Sequence, residues 1–503
     1  MSSEEVKGGP SRGSEKAEIP ATSHIDWLLL SNAIVAQFLG GLSVRIFLVS
    51  LPSIADGLGA DILWVSWALI SFQFAGLSLS IIFGRLGDIY GRLTIYGLGF
   101  LVFTVSSFLC GVSQTVLQLI VFRFMQGVGA TMTRATARAL AMDAMPQGSE
   151  GKAQGIMTAV YHTGFFLGPP LGGLIVEYVH WRAVFFVIVP VSLLGIALSY
   201  LRKSKKWGSP SLATRSTIDY TGAVFLISLA LMLTLLLDRR ISEISGAWHK
   251  GVLLLIFVAT AWRFLAHESK APSPILALSL FRIRMFRYSI VSLVANSVVQ
   301  ATVGFLLPFY LQNILDIRPS VMGAIFLVPP VFTLTLATLA GHLTDRIGPR
   351  VPASIGITIS MGALLVGASL AVDSHWILPV AMLAFAGIGT AFFNSANEAA
   401  IIGSVPKENR GFAGGMVRTG FDLGHMLGVS LSGLVMLVAF RHYAGAPDAV
   451  PDPSNPSAFV SAINTTYGVA MTLSLFALLA SFMTGKGRIN QVASTGGRNP
   501  SDQ

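Results

Sequence analysis

Charge is scarce in this chain of 503 residues: Asp, Glu, Lys and Arg together make up 12%, against about 25% in typical soluble domains. Cysteine is scarcer still. The single residue, Cys110, lies within an apolar run, which excludes a disulfide framework and a cysteine metal cluster. There is no H-E-x-x-H pair and no P-loop. Short glycine stretches such as Gly127-Val128-Gly129 lack the strand–turn–helix setting that nucleotide binding needs. The chain therefore reads as no enzyme and no ATPase, with no metal and no cofactor. Residues 1–24 are polar and rich in Ser, Gly, Glu and Lys. They have neither an apolar signal core nor a cleavage site, and read as a disordered cytoplasmic tail. Residues 485–503 read the same way.

What is present is apolar: 53% of residues are hydrophobic and the mean hydropathy is +0.69. Runs of about 20 apolar residues recur along the chain, each long enough to cross a bilayer as a helix. The expectation is an all-α polytopic membrane protein with fourteen transmembrane helices. The first lies near 27–51 and the last near 463–484; the eighth, 250–266, is the shortest. Placing both termini in the cytoplasm puts most of the 34 Lys and Arg in cytoplasmic segments, densest in "LRKSKKWGSP" after span six. The positive-inside rule then fixes the orientation and suggests an inner or plasma membrane location. The net charge of +10 belongs to those loops facing the lipid bilayer, not to a nucleic-acid surface.

The chain also repeats itself. "GRLGDIYGRL" (84–93) and "GHLTDRIGPR" (341–350) share G-x-L-x-D-x-x-G, and both follow a span. Adding 260 carries Gly127, Gly129, Pro146, Gly164, Gly168 and Gly173 onto Gly387, Gly389, Pro406, Gly424, Gly428 and Gly433. Leu51-Pro52 finds an echo in Leu307-Pro308. Two six-helix pseudo-repeats are expected, 25–203 and 285–484. Residues 204–284 hold linkers and two inserted helices. Parallel repeats of this kind place a small-molecule site between the halves, near the bilayer midplane, and reach it by rocking. A monomer supplies both halves.

Four stretches resemble signatures of the major facilitator superfamily, in its 14-helix drug–proton antiporter branch. They are the loop motif at Gly84, Asp88, Gly91 and Arg92 with its weaker copy at Asp345 and Arg346; "RFMQGVGAT" in span four; "GFFLGPPLGG" in span five; and "WRAVFFVIVP" opening span six. The loop motif offers a tight turn, with Asp88 placed to cap a neighbouring helix and Arg92 to pair with a carboxylate. The resemblance implies a cytoplasmic gate there. In the span-five antiporter motif, Gly164, Gly168 and Gly172 form a smooth packing stripe. Pro169 and Pro170 remove backbone donors and should bend the helix beside Gly173. The resemblance also implies that protons drive transport.

Charges inside spans are costly and mark function by default. Arg123, in span four, has Leu383 as its repeat counterpart, so the fold does not demand an arginine there. The resemblance implies proton coupling or substrate contact. His162 and Asp422 are equivalent in the two repeats. Asp422 follows Arg418 by four residues, on one helix face, so the two form either a structural pair or a coupling site. Glu398 falls opposite Arg138 in the repeat and serves as a gate or a solvated end. His162 reads rather as a hydrogen-bonded packing residue than as a proton carrier, and His425 lies one turn beyond Asp422. Asn296 and Gln300 share one face of span nine.

The chain departs from the resemblance in span one. Many members of that branch carry an acid nine positions before the proline of an A-L-P-like turn. Here the turn is "SLP" and the position is Ser43, with Arg45 two residues on. Arg45 either snorkels outward or serves the cavity, and its repeat counterpart is Ala301. The leading expectation is proton-coupled export of a small organic molecule by alternating access. The alternative is proton-linked uptake of a small, possibly anionic, metabolite or vitamin.

Overall fold

The computed structural model describes residues 25–146, 150–201, 219–237, 247–271, 276–406 and 409–485. The two expected tails, apart from Gly485, and the basic cluster after span six lie outside the described residues. The helices are α1 (Trp27–Leu58), α2 (Ile62–Tyr90), α3 (Arg92–Val112), α4 (Val116–Asp143) and α5 (Glu150–Tyr178). Then comes α6, formed by Ala183–Phe186 and Ile188–Leu201 with one turn between them. Two further helices follow, α7 (Tyr220–Leu237) and α8 (Ala247–Glu268). The second set begins with α9 (Arg284–Asn313) and α10, formed by Pro319–Ile325 and Val328–Ile347. It ends with α11 (Arg350–Ala368), α12 (Ile377–Gly403), α13 (Arg410–Ala444) and α14 (Pro456–Met483). Among the described residues there is no strand.

Thirteen of these are long and apolar enough to cross a membrane. The odd one out is α7, of 18 residues, not the eighth span. That span, expected to be the shortest, forms a helix of 22 residues, because the helix extends through the polar residues at both of its ends.

Local chemistry starts the helices where the sequence changes from polar to apolar. Asp26 accepts from Leu29 N at 3.1 Å, Asp61 from Trp64 N at 2.8 Å and Thr115 from Gln118 N at 3.2 Å. Each satisfies an orphan donor of a first turn. Between α2 and α3 the chain reverses at Gly91, with φ of 94°; between α10 and α11 it does so at Gly348, with φ of 82°. Both lie where only glycine sits without strain. The repeated loop motif is thus one turn built twice.

The two sets pack alike. α1 lies along α5, and α9 along α13; α4 packs on α2 and α3, and α12 on α10 and α11. The match extends to atoms. A Cβ at Gly168 would come within 2.7 Å of Arg45 Cβ, and one at Gly428 within 2.6 Å of Ala301 Cβ. Likewise Gly127 is pressed on the backbone of Phe72, and Gly387 on that of Pro329. Between the sets, α2 meets α13 and α5 meets α10, while α1 touches α9. α7 packs on α2 and α13, with α8 against it. The inserted pair therefore covers one of the two seams between the halves.

Candidate functional site

The halves close on each other at the ends of their helices away from the termini. There Ser53 of α1 and Gln312 of α9 exchange hydrogen bonds, and Ser320 N donates to Glu177 at 3.0 Å. Backbones also meet. The Cβ positions of Gly173 and Gly323 lie 2.1 Å from Pro319 O and 2.4 Å from Pro169 O respectively. The antiporter motif therefore sits on α10, and α5 stays helical through Pro169 and Pro170. Gly164, Gly168 and Gly172 of the same motif face α1. At the terminal face, Cβ positions on Gly84, Gly155, Gly341, Gly414 and Gly415 meet nothing within 4 Å among the described residues. The halves are thus held together at the end away from the termini.

In the middle of the interface stands a charged network. Arg418 grips Asp422 with two contacts, Nε to Oδ2 at 3.0 Å and Nη2 to Oδ1 at 2.8 Å. It also reaches across to the hydroxyl of Tyr161 in α5, at 3.5 Å. Arg134 of α4 comes from the other half. Its Nη2 and the Oδ2 of Asp422 converge on Gly76 in α2, 3.2 and 3.6 Å from a Cβ placed there. Asp422 is 7% exposed, so its charge is compensated by guanidinium groups and not by water. Arg138 and Glu398, equivalent in the repeat, lie within electrostatic reach of each other. Both are exposed.

Arg45 does not lie against lipid. It lines a cavity between the halves, together with Phe165, Gln300, Phe326, Pro329 and Leu383. Its guanidinium lies 3.8 Å from the centre of the Phe165 ring. Among the described residues no carboxylate is within ion-pair distance of it. Across the interface, His425 stacks on Phe421 at 4.2 Å, and its Nε2 is buried without a hydrogen-bond partner.

Arg123 is elsewhere. It is 1% exposed and sealed within the first set of helices. Phe47 and Phe72 sandwich its guanidinium at 4.0 and 4.4 Å. Nη1 donates to Gln126 Oε1 at 2.6 Å, and Gln126 passes the bond on to Ser107. In this conformation Arg123 packs and orients, and it does not line the cavity. His162 also differs from the expectation of a hydrogen-bonded packing residue: its ring is exposed and meets Tyr161 and Phe165 edge-on. In the loop motif, Arg92 pairs with Asp143 at 2.8 Å, while the side chain of Asp88 lies outside the described set. Asp345 and Arg346 are exposed.

Sequence reasoning missed Arg134 and Tyr161. Arg134 lies where span four turns polar toward its end. A signal was available, since Arg134 and Arg138 are one turn apart on a helix that continues to Asp143. They share a face and project back into the interface. Tyr161 was overlooked beside the titratable His162.

Two six-helix sets joined face to face, with charged groups at the seam and one end shut, define a multi-pass membrane transporter of the two-bundle kind. The family model described as Major Facilitator Superfamily matches residues 33–294 and 289–483, and the chain belongs to that family. The riboflavin transporter RibZ of Clostridioides difficile is 28% identical over 455 residues, covering 90% of this chain and 96% of that protein. The multidrug transporter protein MdtP of Bacillus subtilis is 25% identical over 81% of this chain and 75% of its own length. The tetracenomycin C resistance and export protein of Streptomyces glaucescens is 28% identical, over 82% and 76% respectively. Among solved structures, a bacterial homologue of the human lysosomal transporter Spinster superposes with a TM-score of 0.67 at 14% identity. The match covers 91% of this chain and 96% of that one.

Proposed function

We propose that the chain is a proton-coupled carrier that exports a small organic molecule by alternating access. The observation behind this reading is the Tyr161–Arg418–Asp422–Arg134 network, which joins α5, α13 and α4 across the seam that must open and close. A proton delivered to Asp422 cancels the charge that clamps Arg418. The freed guanidinium then has only Tyr161 of the opposite half as a hydroxyl partner, so the balance of contacts between the halves changes with the proton. That is a two-state element biased by one ligand, as coupling requires. The Lys and Arg bias supports a cytoplasmic terminal face, so the end held shut in this conformation is the outer one, and a monomer in the cell membrane suffices. The rocking bodies are residues 25–203 and 285–484.

The test is transport in proteoliposomes under an imposed pH gradient, using labelled riboflavin and a panel of lipophilic drugs. Wild type should move at least one against its gradient, and Asp422→Asn should lose the pH-driven part while keeping facilitated exchange. Full pH-driven transport by Asp422→Asn overturns the assignment of the proton site.

A second reading, uptake of a small metabolite or vitamin, rests on Arg45 in the cavity and on the riboflavin transporter among the relatives. Deletion of the protein separates the two. Drug sensitivity supports export; a growth requirement for a vitamin supports uptake.

A further inference from the structure

The cavity beside Arg45 has a counterpart in the other half, and that counterpart is full. In the first set of helices Phe47 and Phe72 flank the Arg123 guanidinium, Phe103 is buried against Gly129 of the same helix as Arg123, and Gln126 accepts from the guanidinium; the five are Phe47, Phe72, Phe103, Arg123 and Gln126. Their repeat equivalents are Val303, Pro329, Ser360, Leu383 and Ala386, and every one of these lines the cavity. At each position a large side chain in the first half faces a smaller one in the second. The register is secured by the matched glycine contacts: Gly168 with Arg45 and Gly428 with Ala301, Gly127 with Phe72 and Gly387 with Pro329. The slot that Arg123 fills in one half is therefore vacant in the other.

The vacant slot is mainly apolar, carries the hydroxyls of Ser360 and Thr390, and has one cation at its mouth. Val299, Val303, Phe326, Leu383 and Ala386 form walls that make no hydrogen bonds. Gln300 supplies one amide. Arg45 enters from the first half, held flat by Phe165 at 3.8 Å. It is the group that the cavity leaves without a carboxylate. His425 Nε2, buried and unpartnered, lies within electrostatic reach of it. A half-buried guanidinium with no counter-ion is costly, and an anionic ligand removes that cost with charge-assisted, bidentate hydrogen bonds.

We infer that this slot is the substrate site, and that its substrate class is an amphipathic organic anion. The carboxylate meets Arg45 at the mouth, and a compact apolar body fills the place that Arg123 and its two phenylalanines fill in the first half. Cationic lipophiles are excluded by the same charge. The inference rests on the transporter reading above and adds the chemistry of the cargo.

Three probes with one apolar body decide it: 2-naphthoate, 2-naphthamide and 2-naphthylmethylammonium. Each is titrated against the purified full chain, with thermal stabilisation as the readout, and each is then offered to proteoliposomes under a pH gradient. Wild type should bind naphthoate at least about tenfold more tightly than the amide, and should not bind the ammonium. Arg45→Gln should abolish that preference, whereas Arg45→Lys should bind more weakly but still prefer the anion. Val303→Phe, which restores the residue of the first half, should block all three probes while the protein stays folded. Equal binding of the three, preference for the ammonium, no binding at all, or a naphthoate preference that survives Arg45→Gln overturns the inference. If the ammonium alone is transported, the transporter reading stands and the anion inference falls. If naphthoate binds selectively but no probe moves under the gradient, the site chemistry stands and proton coupling is in question.

Discussion

Replacing Gly173 with alanine should tilt the protein away from the conformation described above. A Cβ at that position would lie 2.1 Å from the carbonyl oxygen of Pro319, where real Cβ contacts are essentially never below 3.0 Å. The obstacle is backbone, so it cannot rotate aside, and α5 and α10 must part by roughly 1 Å. Overpacking of this kind costs about 1–3 kcal/mol. The contact exists only while the ends away from the termini are shut, so the cost falls on one state alone. A differential of that size moves a two-state equilibrium roughly 5- to 150-fold. A cysteine at position 53 reports the opening, because Ser53 bonds Gln312 in the shut seam and the native Cys110 is buried. A membrane-impermeant maleimide should label Ser53→Cys several-fold faster when Gly173→Ala is also present. Gly168→Ala is the control. Its Cβ meets Arg45 Cβ at 2.7 Å within one half, a contact that both states keep. It should lower the melting temperature without changing the labelling rate. Unchanged labelling in the Gly173→Ala background, with a lowered melting temperature, refutes the reasoning.

Other perturbations follow from the same contacts. Arg123→Ala removes a guanidinium packed between two rings and leaves Gln126 without its donor; the loss should be about 2–4 kcal/mol, read as a lower melting temperature in detergent. Arg123→Met, which keeps more of the volume, should lose less. Removing Asp422 alone leaves the Arg418 charge uncompensated in the seam, whereas Arg418→Met with Asp422→Leu removes both, so the double variant should melt above Asp422→Leu. Arg92→Ala breaks a half-exposed pair with Asp143 and should shift stability by at most about 1 kcal/mol, a ceiling that equilibrium unfolding can check.

Much of the fold was legible because its signals are repeated. Apolar runs of membrane length gave the helices, and the collinear glycines gave the two halves. The structure turns those glycines into matched close approaches such as Gly168 on α1 and Gly428 on α9. The length of α8 was not legible, since its ends are polar and a hydropathy window clips them. Within the site, the Arg418–Asp422 pair was readable from i,i+4 spacing alone. Arg134 was not, because a charge near the polar end of a helix looks solvated until the neighbouring helices are in place. Arg45 was readable as an anomaly only. Whether it faced lipid or cavity depended on the rotation of α1, which Gly168 and Phe165 of α5 determine.

Arg123 and its repeat counterpart Leu383 do opposite things to the packing around them. The lack of an arginine at Leu383 pointed to function at Arg123 itself. The structure shows the asymmetry from its other side. In one half the position is closed by an arginine whose hydrogen bonds are met and whose charge is shielded by Phe47 and Phe72. In the other, Leu383 and its small neighbours leave space. Equivalent positions can therefore share one backbone packing in both halves while only one half leaves a space. Large-to-small replacement at equivalent positions achieves that without altering the backbone. On the inference drawn above, the site is marked by the residue that is missing, and the arginine that serves it comes from the opposite half.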